Sequence, residues 1–272
     1  MKFILSHVNE DGSISETLQN RSYNTATAMV ALQATGNPEY TQIIRNAQNY
    51  LKGLQIDEEE GYGPDDKYYG GIGYGGDERP DMSNQYLAIE ALSRSKLSAD
   101  DPVWQRALVF ISRSQNLSST NDQEWAADDG GFTYMPGYSP HGGTGSYGGI
   151  THAGLISLLF AGVDKNDPRV QAAYNWIRAN YTLEQNPGAP NRQGMYYYYE
   201  AFAKSMKAFN EVEVTDTAGV AHNWRNDLAA KLVSQQKEDG SWVNDDSPRW
   251  WEGNPHLCSA RAVIALNQAL EK

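Results

Sequence analysis

The chain has 272 residues, of which 40% are hydrophobic, and its 34 acidic residues outnumber 22 basic ones to give a net charge of −12 at pH 7. That length can bury a sizeable core as one or two domains, while the acidic balance excludes a nucleic-acid surface and disfavours an anionic membrane. No apolar run approaches the roughly 20 residues that cross a bilayer, so no transmembrane segment is expected. The single cysteine, Cys258, excludes an internal disulfide and leaves the compartment open between the cytoplasm and export with a missing leader.

Two kinds of helix are predicted to alternate along the chain. One kind has a polar side and an apolar stripe, as surface helices do, and the other is small or apolar on nearly every face, as buried helices are. Residues 1–8 resemble the stub of a surface helix. The predicted surface helices are 38–55, 101–115, 167–181 and 222–236, and the predicted buried helices are 23–35, 82–94, 148–161, 195–209 and 255–270.

Gly-rich turns join the two kinds of helix. The same four residues, Glu-Asp-Gly-Ser, occur at Glu10 to Ser13 and at Glu238 to Ser241. Glycine is suited to such turns because it adopts the left-handed backbone that ends a helix. Several helices also open with Asn-Pro or Asp-Pro, which favours a helix start.

This alternation predicts an all-α fold in which buried helices form an inner ring and surface helices an outer ring. The two Glu-Asp-Gly-Ser turns would then belong to the first and last units of one closed circle. We therefore expect a single domain over residues 1–272, with about five to six helical hairpins.

The last turn and two helix starts resemble a known superfamily. The segment QKEDGSW, from Gln236 to Trp242, resembles the QW repeat of squalene and oxidosqualene cyclases. The starts at Tyr23 to Ala26 and Asp81 to Asn84 are similar to inner helices of those enzymes and of the protein prenyltransferase β subunit. The resemblance extends to bacterial proteins with prenyltransferase/squalene oxidase repeats, and it implies an α/α toroid with a central cavity.

The catalytic motifs of these families are incomplete here. Class II cyclases protonate their substrate with the middle Asp of an Asp-x-Asp-Asp stretch, whereas the matching stretch has Ser83 in that place. A serine hydroxyl is too weak an acid for that step. Asp81 remains, either as a helix cap or as the acid, and Asp77 and Asp66 are the other nearby carboxyls.

Protein prenyltransferases hold zinc with Asp, Cys and His. His256 and Cys258 resemble part of that set, but residues 145–149 read GSYGG where the other ligands are expected. We therefore predict no metal and no cofactor.

Aromatic and charged residues are concentrated at the turns that lead into the predicted buried helices. In a toroid these residues could face one mouth of the cavity, with core packing as the alternative. Besides the acids Asp81 and Asp77 and the possible bases Tyr147 and His152, the candidate binding residues are Tyr68, Tyr69, Tyr74, Arg79, Tyr196, Tyr199, Arg249, Trp250, Trp251 and His256.

Three functions stay open at this stage, the first two with a small-molecule or oligosaccharide ligand in the cavity. As the resemblance implies, the cavity binds or converts an isoprenoid. Aromatic faces in the cavity would then stabilise the carbocations formed from that ligand. Alternatively it binds or cleaves an acidic polysaccharide, with Tyr147 or His152 as base, Arg79 and Arg249 on a uronate, and Trp250 and Trp251 stacked on sugar rings. The third function is a non-catalytic scaffold.

Overall fold

In the computed structural model, residues 1–75 and 79–271 are described, and these residues form ten α-helices and one short pair of antiparallel strands. The helices are α1 (Lys2–Leu5), α2 (Arg21–Ala34), α3 (Thr41–Lys52), α4 (Met82–Ser93), α5 (Pro102–Arg113), α6 (Gly148–Phe160), α7 (Pro168–Ala179), α8 (Met195–Phe209), α9 (Trp224–Gln235) and α10 (Pro255–Leu270). The strands are β1 (Val214–Thr215) and β2 (Ala221–His222), paired with Val214 opposite His222. The predicted all-α class is confirmed, and each predicted helix is present with ends that differ by a few residues. None of the described helices is both long and apolar enough to cross a membrane.

The predicted helix starts are made by Asx side chains followed by proline. Asp101 accepts a hydrogen bond from the Val103 amide at the start of α5, and Asp167 accepts one from the Arg169 amide at the start of α7. Asn254 does the same for His256 in α10. Proline suits the first helical position because its missing N–H has no partner there in any case.

The chain divides into two compact units. The first comprises Met1–Ser114, Tyr134–Pro136 and Phe160–Val163, and the second comprises Gln115–Thr133, Gly137–Leu159 and Asp164–Lys272. In the first unit α2 packs against α3 and α4, and in the second α10 packs against α8 and α9.

Burial follows the predicted alternation, with one difference. α4, α6 and α8 are buried over most of their length, whereas the buried residues of α3, α5 and α7 follow one apolar stripe. α2 and α10 were expected to be equally buried, yet each leaves one face open, and Val263 of α10 is 47% exposed. The sequence pattern reports how apolar a helix is, but burial also needs neighbours on every side.

The turns share a hydrogen-bonding pattern in both units. The Gln55 side-chain amide donates to the carbonyl of Gly70 in its own turn and to that of Val103 in the next surface helix. The Gln115 amide donates in the same way to the carbonyls of Gly130 and Arg169. Each glutamine thereby joins the end of one surface helix to the beginning of the next.

A second shared bond joins each turn to the buried helix that follows it. The backbone amide two residues after the turn glycine donates to a side-chain oxygen on that helix. The four pairs are Ile14 to Thr25, Ile72 to Gln85, Phe132 to Thr151 and Trp242 to Ser259, at 2.9 to 3.1 Å. The same hydrogen bond therefore holds the turn against the following helix in all four cases. The sequence repeat corresponds to this repeated geometry.

Candidate functional site

The predicted site residues lie in both units, so each group is described within its own unit. Asp77 lies outside the described residues. In the first unit the chemically most distinctive group is the carboxyl of Asp81, which is 1% exposed at the start of α4.

Asp81 is held by a ring of donors. Its Oδ1 accepts from the backbone amides of Ser83 at 2.9 Å and Asn84 at 3.1 Å, and its Oδ2 accepts from Asn84 Nδ2 at 2.7 Å. The Asp81 side chain therefore caps α4, as one of the two sequence interpretations proposed. Burial nevertheless raises the pKa of this carboxyl to about 6, while the hydrogen bonds from Asn84, Ser83 and Tyr134 act in the opposite direction.

Two half-buried tyrosines extend this network towards the surface. The hydroxyls of Tyr74 and Tyr134 lie 3.0 Å apart, and the Tyr134 hydroxyl also hydrogen-bonds the Asp81 carboxyl. Burial, followed by the charge of Asp81, raises the pKa of Tyr74. Two tyrosine hydroxyls are therefore linked in series to a carboxyl group whose pKa is about 6.

The other predicted residues of the first unit are arranged differently. The Tyr69 hydroxyl is buried and donates to Glu58 Oε1 at 2.9 Å, which is a packing role. Tyr68 is half-buried, with its hydroxyl 4.0 Å from Met135 Sδ and the Lys67 ammonium 4.5 Å from its ring centre. Arg79 is exposed.

His152 lies in the core of the second unit. It is 1% exposed, its Nδ1 is 2.6 Å from the Ser205 hydroxyl, and its ring packs on Tyr198 and Phe202. Burial lowers the pKa of His152 to about 3, so the ring is neutral throughout the physiological range. This placement is that of a hydrogen-bonded core histidine.

The tyrosine run of α8 divides between its two faces. Tyr196 and Tyr199 share a face, as their spacing predicts, with ring centres 5.8 Å apart, but both are buried. The Tyr199 hydroxyl donates to the Leu183 carbonyl at 2.9 Å. Tyr197 is the partly exposed member of the run, and the Arg261 guanidinium lies 5.0 Å from its ring centre.

Tyr196 lies beside an open cavity of about 220 Å³ in the second unit. Charged and amide groups line most of it, and its walls are Arg192, Met195, Tyr196, Gln235, Val243, Asn244, Asp245 and Asp246. This cavity is polar, unlike the apolar cavity that an isoprenoid requires.

Glu252 lies in the loop before α10, next in the chain to the candidate residue Trp251. It is fully buried, and its Oε1 accepts from the backbone amides of Tyr196 at 2.8 Å and Tyr197 at 2.9 Å. Those amides belong to the first turn of α8, whose preceding residue, Gly194, has no side chain to cap them. Glu252 therefore caps α8 from a loop 56 residues further along the chain.

A charged cluster surrounds this cap. Arg261 lies 3.6 Å from Glu252 and 3.7 Å from Glu200, and Lys204 lies 2.8 Å from Glu200. The pKa of Glu200 is lowered because the charges of Lys204 and Arg261 together outweigh the larger single influence of burial. Sequence analysis did not select these residues, although the Glu200 to Lys204 spacing of four is a recognisable helical ion pair.

The loop before α10 has an unusual backbone. Trp250 and Trp251 both have positive φ values, of 56° and 67°, a conformation that costs a bulky residue of order 1–3 kcal/mol. Trp251 is 77% exposed, whereas Trp250 is stacked under the Arg249 guanidinium, 4.7 Å from its ring centre. Arg249 itself donates to Gln193 Oε1 at 2.8 Å.

The remaining predicted residues are Tyr147, just before α6, and His256, in α10. Tyr147 is buried with its ring edge against His141, another residue that sequence analysis did not select. His256 is exposed in the first turn of α10, while Cys258 is buried and its thiol donates to the Glu252 carbonyl at 3.1 Å. Burial raises the pKa of Cys258 to about 11. No group of three or more His, Cys, Asp or Glu side chains suited to a metal ion occurs among residues 1–75 and 79–271.

Comparisons with known proteins give similarity of fold. No protein-family model matches the chain, and no curated protein sequence matches it. The crystal structure of a protein from Actinoplanes is similar with a TM-score of 0.61 and 19% identity over 98% of this chain and 72% of that one. At this identity the similarity shows a shared fold alone.

Two structures of the type II terpene cyclase MstE from Scytonema are also similar, at lower scores. A variant in complex with merosterolic acid A, its product, has a TM-score of 0.44 and 14% identity over 98% of this chain and 94% of that one. A second variant, without ligand, has a TM-score of 0.45 and 13% identity over 99% and 93%.

Proposed function

We propose that the first unit binds an isoprenoid-type apolar ligand beside Asp81 and that Asp81 acts on it as a general acid. The observation that carries the proposal is the buried Asp81 carboxyl, whose pKa of about 6 lies close to neutral pH, beside the paired hydroxyls of Tyr74 and Tyr134. A general acid is most effective when its pKa lies near the working pH.

The donors around Asp81 suit a proton transfer. The proton leaves a carboxyl oxygen for the substrate, and the carboxylate that remains accepts hydrogen bonds from the Ser83 and Asn84 amides and from Asn84 Nδ2. These donors are already in place before the reaction, so they stabilise the developing charge without reorganisation. An epoxide is the better substrate than a plain alkene for this acid, since its oxygen can accept a hydrogen bond from the carboxyl before the transfer.

The tyrosine rings would serve the second half of such a reaction. Opening a protonated epoxide leaves positive charge on carbon, and the negative faces of aromatic rings attract a cation. Tyr74 and Tyr134 are the half-buried rings joined to Asp81, whereas Tyr69 is engaged with Glu58.

The test is incubation of the protein with oxidosqualene, squalene and a set of prenyl diphosphates, followed by mass spectrometry of the products. Asp81→Asn should lower any turnover at least about 100-fold, because general acids contribute 10²- to 10⁴-fold. Asparagine caps a helix as well as aspartate, so α4 keeps its start. The matched control is Asp167→Asn, which makes the same change at the cap of α7 and should leave turnover unchanged. Equal turnover in wild type and Asp81→Asn would contradict the proposal.

A second candidate function is supported by the exposed Trp251 of the second unit. Trp251, which is 77% exposed on a left-handed backbone, gains little from packing, and the Arg249 guanidinium over the ring of the neighbouring Trp250 is a cation that suits an acidic sugar. Calorimetric titration with oligogalacturonate tests it. Trp251→Ala should abolish binding, whereas Phe3→Ala, which removes a 71% exposed aromatic of the first unit, should not. Absence of binding to the wild type would exclude this candidate.

A further inference from the structure

The last turn of the chain has the internal geometry of the earlier turns. Gln236 Nε2 donates to the Gly240 carbonyl at 2.9 Å, as Gln55 does to Gly70 and Gln115 to Gly130. Gly240 has a φ of 83°, against 80° and 82° for Gly70 and Gly130. The last turn is therefore formed in the same way as its predecessors.

In the earlier turns a surface helix packs directly on the glycine. A methyl group on Gly12 would lie 2.6 Å from the Asn46 carbonyl oxygen of α3, and one on Gly130 would lie 2.5 Å from the Ala172 carbonyl oxygen of α7. A methyl group on Gly70 would meet the Arg106 carbonyl of α5. The three glycines are buried.

Each of these helices has an alanine directly after its contact residue. Ala47, Ala107 and Ala173 are all completely buried. A small side chain there lets the helix backbone approach the glycine, so the pair of glycine and alanine forms the docking contact.

At Gly240 the corresponding helix is missing from the described part of the chain. A methyl group on Gly240 would touch only Gln236 Nε2, at 3.9 Å, and both residues are exposed. Gln55 and Gln115 are 2% and 0% exposed because a helix covers them. Val233, one turn before Gln236, is 64% exposed, whereas Ser112 at the same distance before Gln115 is 9% exposed.

We propose that Val233, Gln236 and Gly240, together named the Gly240 surface, form a docking site for an amphipathic α-helix of a partner polypeptide. The kind of partner is inferred from the three earlier turns, in each of which a surface helix of this chain makes the contact. It is a helix of about the length of α5 and α7, 12 residues each, with an alanine where its backbone meets Gly240. The Gln236 amide donates to a carbonyl in its first turn, as Gln115 does to Arg169.

A peptide of residues 164–180, which includes α7, tests the proposal. It is labelled with fluorescein and held helical by a lactam bridge on its solvent face, because an isolated helix of this length is marginal in water. Its anisotropy should rise saturably when the full chain is added. Binding should weaken at least tenfold with Val233→Asp, and also when Ala173 of the peptide is replaced by Leu.

Val220→Asp is the matched control on the protein. Val220 is 52% exposed and precedes the N-terminal end of α9, whereas Val233 lies near its C-terminal end. Unchanged binding by this variant is expected. Absence of saturable binding, or equal binding to Val233→Asp, would overturn the proposal. A dimer of the chain, measured by light scattering and lost in Val233→Asp, would assign the Gly240 surface to a second copy and overturn the assignment to a partner helix.

Discussion

Two buried ionisable side chains are expected to give the protein opposite pH dependences. The pKa of Asp81 is raised to about 6, and that of His152 is lowered to about 3, in both cases chiefly by burial. Burial disfavours the charged form of each residue, which is the protonated form of histidine and the deprotonated form of aspartate.

For Asp81 the folded state holds its proton more tightly than the unfolded state. Its contribution to the free energy of unfolding is therefore present below the unfolded pKa of 3.8 and is lost as the pH rises through about 6. Relative to Asp81→Asn, the wild type should lose about 1 kcal/mol of stability between pH 5 and pH 7. Urea unfolding of both proteins at the two pH values measures this, and a constant difference would contradict the raised pKa.

For His152 the sign is reversed, because the unfolded state takes up the proton first. Stability is lost as the pH falls below the ordinary histidine pKa of 6.5 and continues to fall towards about 3. Relative to His152→Gln, the wild type should lose about 2 kcal/mol between pH 7 and pH 5. If the free energies of unfolding of the wild type and His152→Gln changed equally with pH in the same urea experiments, the ring would be protonated in the folded protein.

At the scale of the structural element, the repeated contact between turn glycine and helix is the feature that joins neighbouring hairpins. Gly130 and Gly240 have nearly the same φ, 82° and 83°, but only Gly130 lies against a helix backbone. A substitution at Gly240 therefore tests backbone strain alone, and the same substitution at Gly130 tests backbone strain together with close packing.

Alanine at both positions provides the test. Gly240→Ala should cost about 1–2 kcal/mol, since it adds only the strain of a left-handed alanine. Gly130→Ala carries the same strain and also forces α7 away from the turn, which adds about 1–3 kcal/mol. Thermal or urea unfolding of the two variants gives the difference, and equal costs would show that α7 moves aside freely.

The Glu252 cap shows a second way in which elements depend on each other. α8 begins at a glycine and has no local cap, so its first amides rely on a carboxylate from the loop before α10. The burial that raises the pKa of Glu252 is opposed by the Asn244 side chain, the Tyr196 and Tyr197 amides and Arg261. α8 and α10 pack together, and the hydrogen-bonded carboxylate of Glu252 also joins them.

At the scale of the whole molecule, the four related turns should differ in how well they are protected. The Gly70 and Gly130 amides donate to the carbonyls of Ile56 and Asn116 beneath a covering helix, whereas the Gly240 amide donates to Lys237 in an exposed turn. Backbone hydrogen bonds that are exposed to solvent open with a smaller free energy than buried ones.

Hydrogen exchange followed by mass spectrometry should therefore show fast exchange over residues 236–241 and slow exchange over residues 68–72 and 130–132. Adding the α7 peptide should slow exchange over residues 236–241 alone. Slow exchange over residues 236–241 in the free protein would mean that the last turn is as well protected as the others. That result would contradict the exposure of Gly240.

Sequence periodicity was sufficient to predict the all-α class, the alternation of helix types and the Asx-Pro starts, because each depends on residues within a few positions of one another. The repeat also indicated Gly12 and Gly240 as related turns. Tertiary structure alone decided that Gly12 is covered and Gly240 is not, that Tyr197 rather than Tyr196 is accessible, and that Glu252 caps α8. It also decided that the pKa of Asp81 rises, since a pKa depends on how much water the fold removes from a group. Local patterns specify which helix forms and where it ends, but packing between distant segments determines which side chains remain available for chemistry.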